Sequence, residues 1–233
     1  MRRMMALLFV LALVQANPAS AISIGLIDTF EDGTTQGWVV GVALGAVHPA
    51  PPANVASGGP AGVDDNYLLL TAVGGELPGG RLSVLNLAQW SGDYTATGVA
   101  GISMDLRNLG NTDLAVRLYL ENPMVGPPTD DAVSDEALLP AGGDWTSVFF
   151  PVGAGNLSVI NGDANTLLSN VTALRIIHNP GTGFPPLPVV AQLGVDNIRT
   201  VGRVVPEPGI ALLLLAGLTA LAARRRATAK GAP

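Results

Sequence analysis

Short stretches of alternating apolar and polar residues recur along this chain, separated by segments rich in glycine and proline. Residues 114–120 show the alternation most clearly, because Arg117 and Tyr119 fall on one face and leucine and valine on the other. No segment between residues 22 and 205 carries a long apolar period of 3.6 residues. The pattern therefore predicts half-buried strands.

These stretches predict about nine antiparallel strands connected by turns and loops. The predicted strands cover residues 23–30, 38–44, 67–73, 81–87, 99–108, 114–121, 145–152, 173–178 and 191–201. One short helix is predicted at residues 163–170, and long surface loops at residues 49–65, 122–143 and 181–188. The arrangement is typical of an all-β, two-sheet sandwich.

The first 21 residues have the features of a secretory signal peptide. Two arginines at positions 2 and 3 precede an apolar stretch at residues 4–14, and Ala19-Ser20-Ala21 fits the small-x-small cleavage pattern. We therefore expect export and cleavage directly after residue 21. An uncleaved anchor is the alternative, but Asn17-Pro18 interrupts a helix where cleavage needs extended chain.

A second apolar segment, residues 209–223, lies near the end of the chain between two distinctive flanks. These flanks are Pro206, Glu207 and Pro208 before it and Arg224, Arg225 and Arg226 after it. As a helix the segment reaches roughly 22 Å, less than the roughly 30 Å of a hydrocarbon core, so it spans a bilayer only with local thinning. A buried core helix is the alternative, although Thr219 is the segment's one polar position.

The order Pro-Glu-Pro, apolar span and arginine cluster resembles the PEP-CTERM sorting signal of exopolysaccharide-producing Gram-negative bacteria. The resemblance implies cleavage near residues 206–208 by an exosortase processing enzyme, a transient inner-membrane anchor, and transfer to the cell surface or extracellular matrix. The implied organisation is a signal peptide at residues 1–21, an exported domain at 22–204, a sorting signal with a short transmembrane helix at 205–227 and a cytoplasmic tail at 228–233.

The exported segment is strongly acidic. All eighteen acidic residues lie between positions 22 and 208, against six arginines and no lysine, which gives a formal net charge of −12 compared with −6 for the whole chain. Such a charge repels nucleic acid and anionic lipid surfaces, so we expect neither as a partner. The chain has no cysteine, and its stability must therefore come from the core of a single domain.

Further segments resemble carbohydrate-binding modules of the galactose-binding-like jelly-roll type. Residues 30–38 are similar to the opening of such modules, and Val195-Asp196-Asn197-Ile198 is similar to their last strand. Shorter similarities lie at residues 90–94, 99–108 and 143–145. The resemblance extends over most of residues 22–201 and implies a jelly-roll β-sandwich, flanked here by the signal helix and the short transmembrane helix. It also implies association with exopolysaccharide.

The sequence shows no catalytic motif. It has no cysteine, no Gly-x-Ser-x-Gly, no His-Glu-x-x-His and no phosphate-binding glycine loop, and its two histidines are His48 and His178. The acidic pairs at residues 130–131 and 135–136 could supply two carboxylates for glycoside hydrolysis, but charge runs of this kind are usually solvated turns. We therefore expect a protein that is not an enzyme.

One structural calcium ion is the expected cofactor. Calcium binds oxygen ligands and needs no histidine. In the jelly rolls that this chain resembles, the first and last strands lie side by side, so Glu31 and Asp196 match the carboxylate ligands. The alternative is that Glu31 begins a turn and Asp196 ends a strand without binding an ion.

Sugar binding requires aromatic rings beside hydrogen-bonding groups. Trp90 and Tyr94, which flank Ser91-Gly92-Asp93, are the candidate exposed rings, whereas Trp38 and Trp145 at strand starts favour core packing. The sequence thus predicts an exported, non-enzymatic surface or matrix protein that associates with exopolysaccharide. A structural or adhesive role without sugar binding fits the composition equally well. The alternative from another class is a secreted enzyme that acts on polysaccharide through unrecognised carboxylates.

Overall fold

The computed structural model describes residues 21–41, 48–123 and 126–203. The chain divides into two units, Met1–Val201 and Gly202–Pro233, and only the first two residues of the second unit are described. The predicted signal peptide lies outside the described residues except for its last residue. The predicted sorting signal, with Pro206, Glu207, Pro208 and the three arginines, lies wholly outside them.

The described residues form thirteen strands and three short helices. The strands are β1 (Ile27–Asp28), β2 (Val39–Val40), β3 (Ala53–Val55), β4 (Tyr67–Val73), β5 (Ser83–Asn86), β6 (Val99–Asn108), β7 (Leu114–Asn122), β8 (Asp130–Ser134), β9 (Ala137–Leu139), β10 (Thr146–Pro151), β11 (Leu157–Asn161), β12 (Ala173–His178) and β13 (Val190–Gly202). The helices are α1 (Tyr94–Thr97), a 3₁₀ turn (Ala154–Asn156) and α2 (Ala164–Ser169).

Two antiparallel sheets form a sandwich, which confirms the predicted all-β jelly-roll class. The six-stranded sheet has the order β10-β6-β13-β4-β3, with β1 paired to β13. The seven-stranded sheet has the order β11-β8-β7-β12-β5-β2, with β9 paired to β7. Strands distant in sequence are neighbours in both sheets, as β4 beside β13 and β7 beside β12 show, so most of the fold depends on long-range pairing.

The core fills the space between the sheets because alternate residues of each strand point inward. From the six-stranded sheet it receives Ile102, Met104 and Leu106 of β6, and from the seven-stranded sheet Leu174 and Ile176 of β12. All five are no more than 2% exposed. Burial of each such side chain contributes roughly 1.5–3 kcal/mol to the stability of the domain.

Each of the nine predicted strands overlaps an observed strand, but the predicted loops at residues 49–65 and 122–143 are wrong in part. The first contains β3, and the second contains β8 and β9. β8 begins with two aspartates, which are usually depleted in strands. Asp131 is nevertheless 2% exposed and accepts hydrogen bonds from Tyr119 and Asn161, so tertiary contacts override its local preference. β11 was not predicted either.

The predicted helix at residues 163–170 is confirmed as α2. Its N-cap is Asp163, whose carboxylate accepts hydrogen bonds from the backbone N–H groups of Asn165 and Thr166 at 3.0 and 2.9 Å. Leu167 and Leu168 on its inner side are buried. Within residues 21–41, 48–123 and 126–203, no helix has both the length and the apolar character that crossing a membrane requires.

Candidate functional site

The expected sugar-binding rings Trp90 and Tyr94 lie in the core, and the prediction that they are exposed is wrong. Trp90 is 0% exposed and its indole N–H donates to Asp28 at 2.7 Å. Tyr94 is 1% exposed and its hydroxyl donates to the carbonyl of Trp90 at 2.8 Å. Both rings are large apolar groups whose single polar atom has an internal partner, which allows their complete burial.

Asp28 of β1 is the centre of this buried cluster. It accepts from the indole N–H groups of Trp38 at 2.8 Å and of Trp90, and from the side-chain amide of Gln89. Burial raises the pKa of Asp28, although the three donors counteract part of that rise. The predicted core position of Trp38 is therefore confirmed. The cluster ties β1 to the core and offers no surface to a ligand.

The outer face of the seven-stranded sheet has four polar or charged side chains on its two central strands. These are Arg117, Tyr119 and Glu121 of β7 and Arg175 of β12. They alternate with core residues along the two strands, as the sequence pattern of residues 114–120 predicts. Each of the four is nevertheless at most 9% exposed. A second layer of structure must therefore cover this face.

The buried charges of this face are paired. Arg175 binds Glu121, with Nη2 and Oε1 2.6 Å apart, and its Nε donates to the same oxygen at 2.8 Å. Burial raises the pKa of Glu121, while Arg175 opposes that rise. Tyr119 donates its hydroxyl to Asp131 at 2.7 Å, and burial followed by this hydrogen bond raises the pKa of the phenol. The pairing keeps desolvated charges stable in a largely buried layer.

The covering layer is the segment at residues 179–187. The Phe184 ring stacks on Tyr119 with centroids 4.2 Å apart and an interplanar angle of 14°, and the Arg175 guanidinium lies 5.4 Å from the Phe184 centroid. Arg117 donates to the carbonyl of Asn179 at 2.9 Å, and Arg81 donates to that of Pro186 at 2.7 Å. Side chains of β7 and β12, together with Arg81 just before β5, thus hold the segment at several points.

A pocket of about 350 Å³ opens where this segment meets β5 and the turn at residues 76–79. Its lining includes the aromatic ring of Phe184, the guanidinium groups of Arg81 and Arg175, Ser83 and His48. Phe184 is 37% exposed, so part of its ring remains accessible. The Ser83 hydroxyl is the one buried side-chain polar atom in the described part of the chain without a hydrogen-bond partner. Such an atom costs free energy unless a ligand or water binds it.

The accessible groups of the pocket are of the kinds that bind sugars. An exposed aromatic ring can stack against the apolar face of a sugar, while guanidinium donors can bind its oxygens. Burial lowers the pKa of His48, so this imidazole is neutral near pH 7 and adds no further charge. Arg81 is additionally paired with Glu76, which partly balances its charge. A neutral, hydroxyl-rich ligand fits this environment.

The predicted solvated turn at residues 130–136 is only partly observed. Asp135 and Glu136 are exposed, and Glu136 pairs with Arg117 at 2.9 Å. Asp131 is buried, and it lies directly opposite Glu121 in the β7–β8 pairing. Glu121 is 3% exposed and bound to Arg175. The two carboxylates therefore face each other on one sheet, but internal partners occupy both of them.

The expected calcium ligands are Glu31 and Asp196. At the six-stranded sheet they lie close enough for their charges to repel each other. Burial raises the pKa of Asp196 to about 7, and repulsion from Asp65, Asp105 and Glu31 contributes to the rise. Asp196 accepts from the backbone N–H of Asn197 at 2.7 Å, and Glu31 accepts from that of Asn66 at 2.9 Å. Among the residues that the structure describes, no three acidic or histidine side chains are grouped as a metal site.

Sequence reasoning missed Phe184, Ser83 and Arg175 as site residues. Two signals could have found them. Arg117 and Tyr119 predict a polar stripe on one face of a strand, and Phe184 is the single aromatic residue in a proline-rich segment that the sequence predicts as a surface loop. The missing information was spatial, because β12 and β5 come beside β7 only through long-range pairing.

No protein-family model matches this chain, and the search of curated proteins found no match. Among solved structures, an exo-beta-agarase is similar with a TM-score of 0.51 and 12% identity over 78% of this chain and 25% of the agarase. A solution structure of CtCBM11 is similar with a TM-score of 0.50 and 16% identity over 80% of this chain and 99% of that one. The family 11 carbohydrate-binding module of a cellulosomal cellulase from Clostridium thermocellum gives a TM-score of 0.49 and 12% identity over 81% and 99% of the two chains.

The matches to the exo-beta-agarase and to CtCBM11 show the fold, a jelly-roll β-sandwich. CtCBM11 is matched over nearly its whole length. The match to the agarase covers a quarter of that chain.

Proposed function

We propose that this protein is a non-enzymatic, exported carbohydrate-binding protein, and that the pocket beside Phe184 binds a sugar unit of a neutral polysaccharide. The observation that supports the proposal most strongly is the partly accessible Phe184 ring, which lines the pocket together with the guanidinium groups of Arg81 and Arg175. The carbohydrate-binding-module fold agrees with this ligand class.

Binding in this pocket would use positions that are fixed before the ligand arrives. Phe184 is held by its stack on Tyr119, and Arg175 is held by Glu121. A Cβ atom at Gly41 would lie 2.6 Å from Nη1 of Arg175, so glycine at this position leaves room for the guanidinium. Little side-chain entropy is lost when groups are already ordered, which favours affinity.

Retention on polysaccharide tests the proposal. The full-length chain, purified in mild detergent, should be retarded in native gels that contain agarose or soluble β-1,3-1,4-glucan. Phe184→Ala should reduce the retardation, whereas Leu138→Ala, a change at a 72% exposed residue of β9, should not. Retardation that is equal in all three proteins would contradict the assignment of the pocket.

We further propose that the tail at residues 205–227 directs the precursor to an exosortase and then to the cell surface or matrix of a Gram-negative bacterium. The support is the Pro-Glu-Pro, apolar and arginine order in the sequence. Glu207→Ala should leave uncleaved precursor in the inner membrane, as measured by immunoblots of membrane and surface fractions. Glu207→Asp is the matched control for charge, and normal processing of the Ala variant would contradict the sorting role.

A single structural calcium ion at Glu31 and Asp196 is also proposed. The supporting observation is the mutual repulsion of buried Asp196 with Glu31 and Asp65, which a divalent cation would relieve. Because no group of three acidic or histidine ligands occurs in the described residues, backbone carbonyls and water would have to complete the shell. The ion would stabilise the fold and has no role in sugar chemistry.

The alternative is a polysaccharide-acting enzyme, and the opposed carboxylates Glu121 and Asp131 are the observation that favours it. Both are buried and bound to Arg175, Tyr119 or Asn161, so neither is free to act on a substrate. We expect the purified chain to release no reducing ends from agarose or β-glucan. Release that disappears in Glu121→Gln or Asp131→Asn would support the enzyme instead.

A further inference from the structure

Three aromatic rings lie on the outer face of the six-stranded sheet, on the opposite side of the sandwich from the pocket. Val148 and Phe150 of β10 point to the core, so Phe149 points outward, where it is 49% exposed. Trp145 immediately precedes β10 and is half-buried. Its ring meets Tyr67 of β4 edge-on, with centroids 5.4 Å apart. We call this surface the aromatic face.

The rings of the aromatic face are fixed against the sheet by glycines. A Cβ atom at Gly194 would lie 2.8 Å from the Trp145 ring and 3.4 Å from that of Tyr67, and one at Gly101 would overlap the Phe149 ring. Trp145 also donates its indole N–H to the carbonyl of Gly58 at 2.9 Å. Since that polar atom is used internally, the ring surface itself is what Trp145 offers to a ligand.

A row of polar side chains runs beside these rings. Asp105 of β6 accepts from Ser147 of β10 and, at 2.9 Å, from the side-chain amide of Asn197 of β13. Arg199 donates through Nε to Ser103 at 2.8 Å and is exposed. Within the described residues Arg199 belongs to no ion pair, so the remaining donors of its guanidinium can bind a ligand.

We propose that the aromatic face is a second binding surface for neutral polysaccharide, separate from the pocket. The ligand class rests on the proposed function, and the location rests on the rings and the polar row. The side-chain amide of Asn197 donates to both Asp105 and Asp196, so carboxylates outnumber guanidinium groups here and disfavour an anionic ligand. The hydroxyl, amide and guanidinium groups of the row can bind the oxygens of a neutral sugar. Trp145 and Phe149 are four residues apart in extended chain, roughly 13 Å, so both can contact different sugar units of one polymer.

The two surfaces make different predictions for short and long ligands. Because they lie on opposite sides of the sandwich, a short oligosaccharide should bind twice, independently, with a stoichiometry near two per chain. A polysaccharide network can engage both surfaces, and the apparent affinity should then exceed that of either surface alone. The pocket and the aromatic face are thus separable by measurement.

The test uses the full-length chain in mild detergent with a neutral β-glucan tetrasaccharide and with the polymer. Phe149→Leu and Trp145→Leu retain an apolar cover over Gly101 and Gly194 but remove the ring. We expect the double variant to lose one of two tetrasaccharides in calorimetry and to bind polymer about tenfold more weakly. Trp145→Phe, which keeps a ring, should behave as the unmodified chain, and melting temperatures confirm folding in each case.

The outcomes separate this inference from the proposed function. A stoichiometry of one that Phe184→Ala abolishes, with no effect of the double variant, would overturn the aromatic face and leave the pocket supported. Loss of binding in the double variant with no effect of Phe184→Ala would support the aromatic face and overturn the pocket. Absence of binding by the unmodified chain to agarose and β-glucan would contradict both.

Discussion

The outer faces of the two sheets contain similar residue types in very different surroundings. On the seven-stranded sheet, Tyr119, Glu121 and Arg175 are buried beneath the segment at residues 179–187. On the six-stranded sheet, Asp105 and Arg199 form hydrogen bonds to Asn197 and Ser103 and remain partly or fully exposed. The comparison shows that a polar stripe on a strand does not reveal whether its charges hold the fold together or meet a ligand.

The difference lies in what covers each face. On the covered face the charged groups pair with one another. A confined pocket remains at its edge, where part of the Phe184 ring is accessible and the buried Ser83 hydroxyl lacks a partner. An open face keeps its polar groups in solvent and offers an extended surface. We therefore expect substitutions on the covered face to affect stability first, and substitutions on the open face to affect binding alone.

The largest expected effect comes from breaking the buried ion pair of the covered face. Arg175→Met leaves Glu121 buried without a partner and should lower the free energy of unfolding by about 3–5 kcal/mol. The matched change on the open face, Arg199→Met, removes an exposed guanidinium and should change it by less than about 0.5 kcal/mol. Urea unfolding followed by circular dichroism measures both, and equal losses would contradict the proposed difference between the faces.

Asp196 sharpens the comparison, because it is a buried carboxylate on the sheet whose outer face is otherwise open. Its pKa of about 7 in the folded chain exceeds the ordinary value of 3.8, so the folded state binds the proton more tightly than the unfolded state does. Stability should therefore fall as pH rises from about 4 to about 7, by roughly 2–4 kcal/mol or about 5–10 °C in Tm.

Thermal melts at pH 4, 5, 6 and 7 in EDTA measure this fall. In Asp196→Asn the part that is due to this carboxylate should disappear, and an identical pH profile in both proteins would contradict the assignment. If calcium binds at Asp196, millimolar calcium should raise Tm at pH 7 in the unmodified chain. The free energy of unfolding should rise by up to about 2.7 kcal/mol at a hundredfold excess over Kd. No rise on addition of calcium would remove Glu31 and Asp196 as ligands.

The sequence predicts the all-β class and the strands that bury one face, because an alternation such as that of residues 114–120 reflects burial directly. It could not predict β8, since Asp130 and Asp131 form a strand only with Tyr119 and Asn161 in place. The polar Ser-Gly-Asp segment between Trp90 and Tyr94 predicts an exposed position for both rings. Their burial depends on Asp28, which is 62 residues away from Trp90 in the sequence.

The sequence could not predict the candidate site either, because its residues come together only through long-range contacts. Phe184, Ser83 and Arg175 come from a loop and two strands that are far apart in sequence, and no local motif connects them. Trp145 differs from Trp90 and Tyr94 in the opposite direction. Its position at a strand start predicts core packing, whereas the ring is half-buried on the outer face of the sheet. Local patterns predict which side chains share a face of a strand, but not what covers that face.

Calorimetric titration of a neutral β-glucan tetrasaccharide tests the central claim, that the pocket beside Phe184 binds sugar, most directly. In the full-length chain, Phe184→Leu should weaken binding at this pocket by about tenfold, equivalent to about 1.4 kcal/mol and in the range of one aromatic contact, while Phe184→Tyr should leave it nearly unchanged. The Trp145→Leu and Phe149→Leu background isolates the pocket from the aromatic face. Equal affinities of Phe184, Phe184→Leu and Phe184→Tyr chains in that background would contradict the claim.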